Sequence, residues 1–274
     1  MADYEGKAWF EMDQTGISHN KIVENGTTCY MANIVEDDSG YATPFVAADN
    51  KAIIGIWASN QTLGNAVLTA NGAVYSKFTL LNCYLTGIAV TDYKKPVWAS
   101  GEDAGMNASA AADVSLTYTE NAKLLGFVKR YSYALHADVF VDPKPFVRAE
   151  FGFSAKGYAA IDTGGAGSIF FTKTFSKDVI VRKLKAFINT AWAVTKGVDI
   201  LVNTGTDVVT GKMEIRSTDA ALSEKTQALT GDYLYVSAGT AIKLEYDASE
   251  GVAADAGDAT FSIEYDEVPV CTEF

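Results

Sequence analysis

The stretch KKPVWASGEDAGMNASAAADVSLTYTENAKLLGFVKRYSYALHADVFVDP, Lys94 to Pro143, decides how the chain is read. It opens on a short apolar run, Pro96-Val97-Trp98-Ala99, and passes into an excursion of Gly, Asp, Asn, Ser and Thr. It returns through Leu124-Leu125-Gly126-Phe127-Val128 and ends on Ala137-Asp138-Val139-Phe140-Val141. Short apolar runs separated by turn chemistry predict strands of a small closed sheet. No catalytic signature lies within the stretch.

Composition points the same way. The 274 residues are 48% hydrophobic and only 20% charged, with 23 Gly, 14 Tyr, 14 Phe and 5 Pro. A chain of this length and make-up can bury real cores in one large or two ordinary domains, and its residue types favour strands over helices. A net charge of −12 argues against nucleic acid and against an anionic membrane surface as partners. The cysteines Cys29, Cys83 and Cys271 are far apart, without metal-type or disulfide-framework spacing, and read as free thiols. No signal-type apolar core follows Met1–Glu5 and no run nears the roughly 20 apolar residues of a membrane helix. A soluble product of cytoplasmic synthesis is expected.

Along the chain, residues 1–24 read as a polar N-terminal arm whose bulky apolar pair is Trp9-Phe10. From 25 to 145 strand and turn signals alternate: Thr27–Met31, Tyr41–Ala48, Ala52–Trp57, Ala66–Ala70 and Val74–Leu81 precede the stretch quoted above. An internal repeat is visible, in which an apolar-apolar-Gly-apolar strand follows a polar loop, at Ile53-Ile54-Gly55-Ile56 and again at Leu124-Leu125-Gly126-Phe127. Glycine inside such a strand marks a bulge or a close approach of two backbones. Pro143 and Pro145 stop the series, and 146–168 reads as a Gly/Ala-rich linker with one or two short strands.

Residues 169–274 have the rhythm of a β-sandwich, with strands predicted at Ile169–Phe175, Val179–Thr190, Asp199–Asn203, Lys212–Ser217, Tyr233–Ser237, Ala241–Tyr246 and Ala259–Tyr265. The segment Ser176–Val194 fits a helix face capped by Ser176 and also a long strand; the β-branched Val179, Ile180, Val181, Ile188 and Thr190 favour the strand. The fold class expected is all-β, a small N-terminal barrel followed by an antiparallel sandwich.

The chemical motifs fail one after another. Asp162-Thr163-Gly164 matches half of an aspartic-protease site, yet the chain has no second Asp-Thr-Gly to share the proton. Gly205–Met213 has the wrong spacing for a phosphate loop. His19 and His136 are the only histidines, with no nucleophile elbow to serve. The acidic turns Glu36–Asp38 and Asp247–Asp258 lack EF-hand spacing and read as solvated turns. The buried-looking Trp57 and Trp98 read as core rather than as a sugar platform. No catalytic residue, metal ligand or cofactor site is expected, and the chain reads as a non-enzyme.

The runs Pro96–Ala99, Leu124–Val128 and Ala137–Val141, with Ile53–Ile56 upstream, resemble the small-barrel head-decoration (capsid cement) proteins of tailed bacteriophages over residues 25 to 143. That family pairs a Pro-Val-Tyr/Trp-Ala strand with a polar hairpin, a Leu-Ile-Gly-x-Val strand and a Val-rich strand. The resemblance implies a barrel that clamps the assembled major capsid protein on the outer surface of a virion, often as a homotrimer. The appended second domain departs from the family pattern and leaves open a receptor- or glycan-binding role. Two segments are the candidate contacts. One is the arm at Trp9 and Phe10; the other is the hairpin carrying Gly101, Glu102, Asp103, Met106 and Asn107, because a long polar loop on a rigid barrel is where contacts are commonly placed.

Overall fold

The run Val74–Leu81, expected as one strand, breaks at Lys77, whose φ of 55° lies in the left-handed region that a non-glycine residue adopts at a cost of about 1 kcal/mol. On one side of the break β7 (Asn71–Ser76) closes a barrel; on the other β8 (Phe78–Tyr84) is the edge of a separate sheet. The computed structural model describes residues 17–49, 51–59, 62–64, 70–104, 113–156, 168–191, 198–203, 208–215, 218–228, 235–247 and 258–274. They form two compact units, 1–145 with 269–274, and 146–268.

In the first unit β1 (Ile17–Val23), β3 (Ile34–Asp38), β4 (Tyr41–Pro44), β5 (Ile53–Trp57) and β7 close a barrel in the order β1-β4-β3-β5-β7. β2 (Thr28–Cys29) and β6 (Thr62–Leu63) pair with each other. The second sheet has the order β10-β9-β11-β12-β8, with β9 (Pro96–Ala99), β10 (Val114–Ser115), β11 (Lys123–Tyr133) and β12 (His136–Val141). The Lys94–Pro143 stretch and the Ile53–Ile56 unit therefore occupy two sheets rather than two halves of one barrel. A shared core joins them: Ile34, Ile53 and Ile56 of the barrel pack with Leu80, Val97 and Leu125 of the sheet. The barrel's own interior holds Val23, Cys29, Val35, Ala42, Trp57 and Val74. Residues 17–23, assigned from sequence to the arm, are a barrel strand whose first four residues are exposed, so they carry no apolar pattern to betray them.

The repeated glycines are where backbones nearly touch. A Cβ on Gly126 would lie 2.0 Å from the carbonyl oxygen of Phe140, and one on Gly55 would lie 2.3 Å from that of Tyr75. Each glycine adjoins a bulge: Leu125 is the extra residue against β9, and Ile54 against β3. The bulges reset the two-residue alternation, so Ile53 and Ile56 share one layer of the core, as do Leu125 and Val128.

The second unit is a sandwich of two antiparallel sheets. One has the order β13-β21-β15-β18, formed by β13 (Val147–Lys156), β15 (Val179–Thr190), β18 (Ser223–Ala228) and β21 (Asp258–Glu267). The other has the order β14-β20-β16-β17, formed by β14 (Ser168–Thr174), β16 (Val198–Asn203), β17 (Val208–Ile215) and β20 (Ala241–Asp247). The short β19 (Tyr235–Val236) pairs with the start of β15. Outgoing and returning strands match as β13 with β21, β14 with β20, β15 with β18 and β16 with β17. This is one long antiparallel ribbon rolled up, the strand order of a jelly roll, an architecture that viral capsid and lectin domains both use.

Ser176–Val194 contains the twelve-residue strand β15, as its β-branched residues predict. The segment given as linker contains β13, ten residues long, whose partner β21 lies more than a hundred positions later. The sandwich begins at 146 and ends at 268, and Pro269–Phe274 belong to the first unit. There the Phe274 ring meets Phe140 at 5.5 Å and Tyr93 at 5.7 Å between centroids.

Gly126→Ala is expected to lower unfolding free energy by about 2–4 kcal/mol, because the methyl group meets backbone and cannot be accommodated by a rotamer change. Gly87→Ala, where a Cβ meets nothing within 4 Å, is expected to cost about 1 kcal/mol for its positive φ. Urea unfolding of the two variants checks the contrast.

Candidate interaction surfaces

The described base of the predicted hairpin is tied to the barrel. Asp103 forms a β-bridge with Asn33, the Ile34 amide donates to the Glu102 carbonyl at 2.8 Å, and Ala104 is buried in the shared core. Asp113 returns on the other side: its carbonyl accepts from the Ser100 amide at 2.7 Å, and its carboxylate accepts from the Asp103 amide at 3.1 Å. The base of the excursion is thus fixed by backbone bonds on both flanks. Gly101 leaves room for the Asp113 carboxylate, which a Cβ there would approach to 2.4 Å and displace. Met106 and Asn107 lie outside the described residues, as do Trp9 and Phe10, so only Gly101, Glu102 and Asp103 of the predicted contacts are placed.

Glu102, Asp103 and Asp113 form an acidic base to this loop. Burial, and then the charges of Asp113 and Asp103, push the Glu102 carboxyl above the usual range. Among the described residues no cationic side chain forms an ion pair with Glu102. Its effect reaches the barrel interior, where burial and then Glu102 push the Cys29 thiol up to about 12, leaving it a protonated core thiol. Sequence reading missed Asp113 as the closing member of this group; its only signal is its position just before the apolar Val114.

The acidic turn Glu36–Asp38 is neutralised from within, while residues 248–257 of the other acidic turn lie outside the described residues. The Lys51 ammonium lies 2.8 Å from Asp38, 3.4 Å from Asp49 and 3.6 Å from the buried Glu36. An intramolecular amine thus occupies the space between these carboxylates. Among the described residues no cluster of His, Cys, Asp and Glu is arranged to hold a metal, and no helix is long and apolar enough to cross a membrane. His136 sits at the β11–β12 hairpin, its ring stacked on Tyr133 at 4.3 Å. Trp57 and Trp98 are core residues, as expected. The Asp162-Thr163-Gly164 segment lies outside the described residues.

The sandwich carries a second charged surface, on the outer face of β13, β21 and β15. On β21, Phe261 and Ile263 are buried while Ser262, Glu264 and Asp266 alternate with them on the opposite face. Arg148 donates through Nε to Asp266 at 2.9 Å and lies 3.0 Å from Glu264 through Nη1. Arg182 donates to Asp266 at 2.8 Å, and Lys185 bridges Glu264 at 3.2 Å and Glu150 at 3.3 Å. Burial is the largest single influence on Asp266 and acts upward. The hydrogen bonds and charges of Arg148 and Arg182 together outweigh it and hold the carboxyl below the usual range.

No family model matches the chain, and no curated protein matches it. Among solved structures, that of infectious bursal disease virus Gx strain is similar at 11% identity and a TM-score of 0.28, over 92% of this chain and 71% of that one. The VP2 subviral particle of the same virus is similar at 10% identity and a TM-score of 0.28, over 96% and 74%. The Gt strain gives 11%, 0.22, 97% and 80%. Likeness at these scores carries no functional argument.

The two acidic groups predict opposite responses to pH. Glu102 binds its proton more tightly folded than unfolded, so its contribution favours the fold below the ordinary glutamate value and turns against it as pH rises through the folded one. Glu102→Gln is therefore expected to raise the melting temperature at pH 7 and to leave it unchanged near pH 4. Asp266 binds its proton less tightly folded, so its contribution is present above the ordinary aspartate value and is lost as pH falls through the lower folded one. Asp266→Asn is expected to cost about 2 kcal/mol at pH 7, shrinking in strong acid. Melting curves of both variants between pH 2 and 8 check the signs.

Proposed function

We propose that this protein is a non-enzymatic structural component of a virion, which binds the assembled capsid lattice of a tailed bacteriophage from outside and stabilises it. The observation that carries the reading is a compact sheet built on the Pro96–Ala99, Leu124–Val128 and Ala137–Val141 strands of the decoration-protein pattern, followed in the same chain by a jelly roll. A protein that binds only assembled lattice shifts the equilibrium away from disassembly by mass action, and repeated copies add avidity. The partners are the major capsid protein and further copies of this chain, arranged as a homotrimer; nucleic acid and membrane are not among them.

The capsid contact in this proposal is the acidic loop: Gly101, Glu102 and Asp103 at its base, Met106 and Asn107 beyond it, with the arm residues Trp9 and Phe10 lacing onto a neighbour. Keeping Glu102 beside Asp103 and Asp113 opposes stability, which is expected of a residue retained for binding. A cationic patch on the lattice would relieve that repulsion. The second reading, a receptor- or glycan-binding module displayed through the second unit, is favoured by the jelly roll alone, because lectin domains use it too.

Mixing the purified protein with undecorated, expanded capsids and imaging them by electron cryomicroscopy tests the proposal. Added density at local three-fold positions is the expected result, and its absence at saturating protein would sink the reading. A Glu102→Lys, Asp103→Lys variant is expected to bind the lattice about tenfold or more weakly. Strong signals on a glycan array, with bare capsids, would support the second reading instead.

A further inference from the structure

Strand β13 is an edge of its sheet: over its ten residues, Val147–Lys156, its one strand partner among the described residues is β21. It is longer than the other edges of the sandwich, which have seven residues in β14, eight in β17 and six in β18. Long edges invite pairing with another chain, and proteins usually block them with a bulge, a proline or inward charges. β13 contains neither a bulge nor a proline, and its central charges, Arg148 and Glu150, are of opposite sign and lie on the outer face. Its pairing with β21 runs without a register shift, and its one lysine, Lys156, is the last residue.

We propose that β13 is a self-recognition edge, at which two copies of this chain pair their β13 strands antiparallel about a two-fold axis through Ala149. The charges select that register. Arg148 and Glu150 lie on the same outer face, opposite Asp266 and Glu264, and their side chains remain 60% and 45% exposed despite their bonds within the chain. Residues opposed in an antiparallel pair share a face. Centring the pair on Arg148 or on Glu150 would set like charges against each other. Centring it on Ala149 sets Arg148 of each copy against Glu150 of the other, twice by symmetry. On the inner face the same register covers Val147, 63% exposed in the single chain, with Phe151 of the second copy. The charges thus disfavour the two neighbouring self-registers while favouring the one centred on Ala149. This association is separate from the lattice reading and stands or falls without it.

Cysteine crosslinking in solution tests it, in a Cys271→Ser background, since Cys29 and Cys83 are buried. Under mild oxidation Ala149→Cys is expected to give a disulfide-linked dimer on a non-reducing gel. Val147→Cys is expected to stay monomeric, because the two sulfurs would be separated by about 13 Å along the strands, beyond disulfide reach. Adding Glu150→Arg to Ala149→Cys should slow crosslinking about tenfold by opposing arginines. In the unmodified protein, amide exchange over 147–151 should slow as concentration rises. Crosslinking of Ala149→Cys no faster than of Val147→Cys, or amide exchange independent of concentration, would overturn the proposal.

Discussion

Strand β21 must find two partners before the sandwich exists. It lies between β13 and β15 and forms a ladder with each along its whole length, so its backbone donors and acceptors are satisfied on both edges. Its side chains divide the work: Phe261 and Ile263 enter the core, while Glu264 and Asp266 tie the two neighbouring strands together through Arg148, Arg182 and Lys185. A carboxylate as buried as Asp266 is tolerated only because two guanidinium groups converge on it. Removing either side of that arrangement leaves a charge without its counterpart.

The first unit depends on a different constraint, the absence of side chains where strands cross closely. Gly55 and Gly126 bring two pairs of strands to distances that a methyl group would forbid, and the adjacent bulges turn the large residues of β5 and β11 toward a common core. The unit is therefore a barrel and a sheet that share apolar filling. The left-handed Lys77 is where one passes to the other, its amide held by the Val141 carbonyl at 2.7 Å.

What could be read in advance follows from where each signal resides. The glycine-containing strands, Val179–Thr190 and most of the sandwich strands carry local apolar or β-branched patterns, and these were legible. β1 and β18 were not, because an exposed or polar strand such as Ser223–Ala228 has no apolar residue on a repeating face. β13 was legible in principle, since Val147, Ala149, Phe151, Phe153 and Ala155 recur at a strand's period of two; the Gly- and Ala-rich residues that follow drew the whole segment into a linker. The break at Lys77 was invisible for another reason: an apolar run shows that a strand is present but not that a single lysine takes a positive φ. At the loop, sequence singled out Gly101, Glu102 and Asp103 by polarity and length. It could not foresee that Asp113 would clasp them to the barrel, because that contact is set by tertiary geometry.

The pairing of Arg148 with Asp266 spans 118 positions, which bears on how the protein is made. During synthesis β13 emerges well before the strand that will occupy its inner edge. Through that interval both of its edges are open, in a chain rich in apolar β-formers. Non-local pairing of this kind folds slowly and exposes strands to wrong partners. The strand pairings of the glycine-marked first unit span shorter separations, so most of its strands can gather earlier. The sandwich is left as the late step, and unpaired strands exposed among nascent chains are the hazard its topology creates.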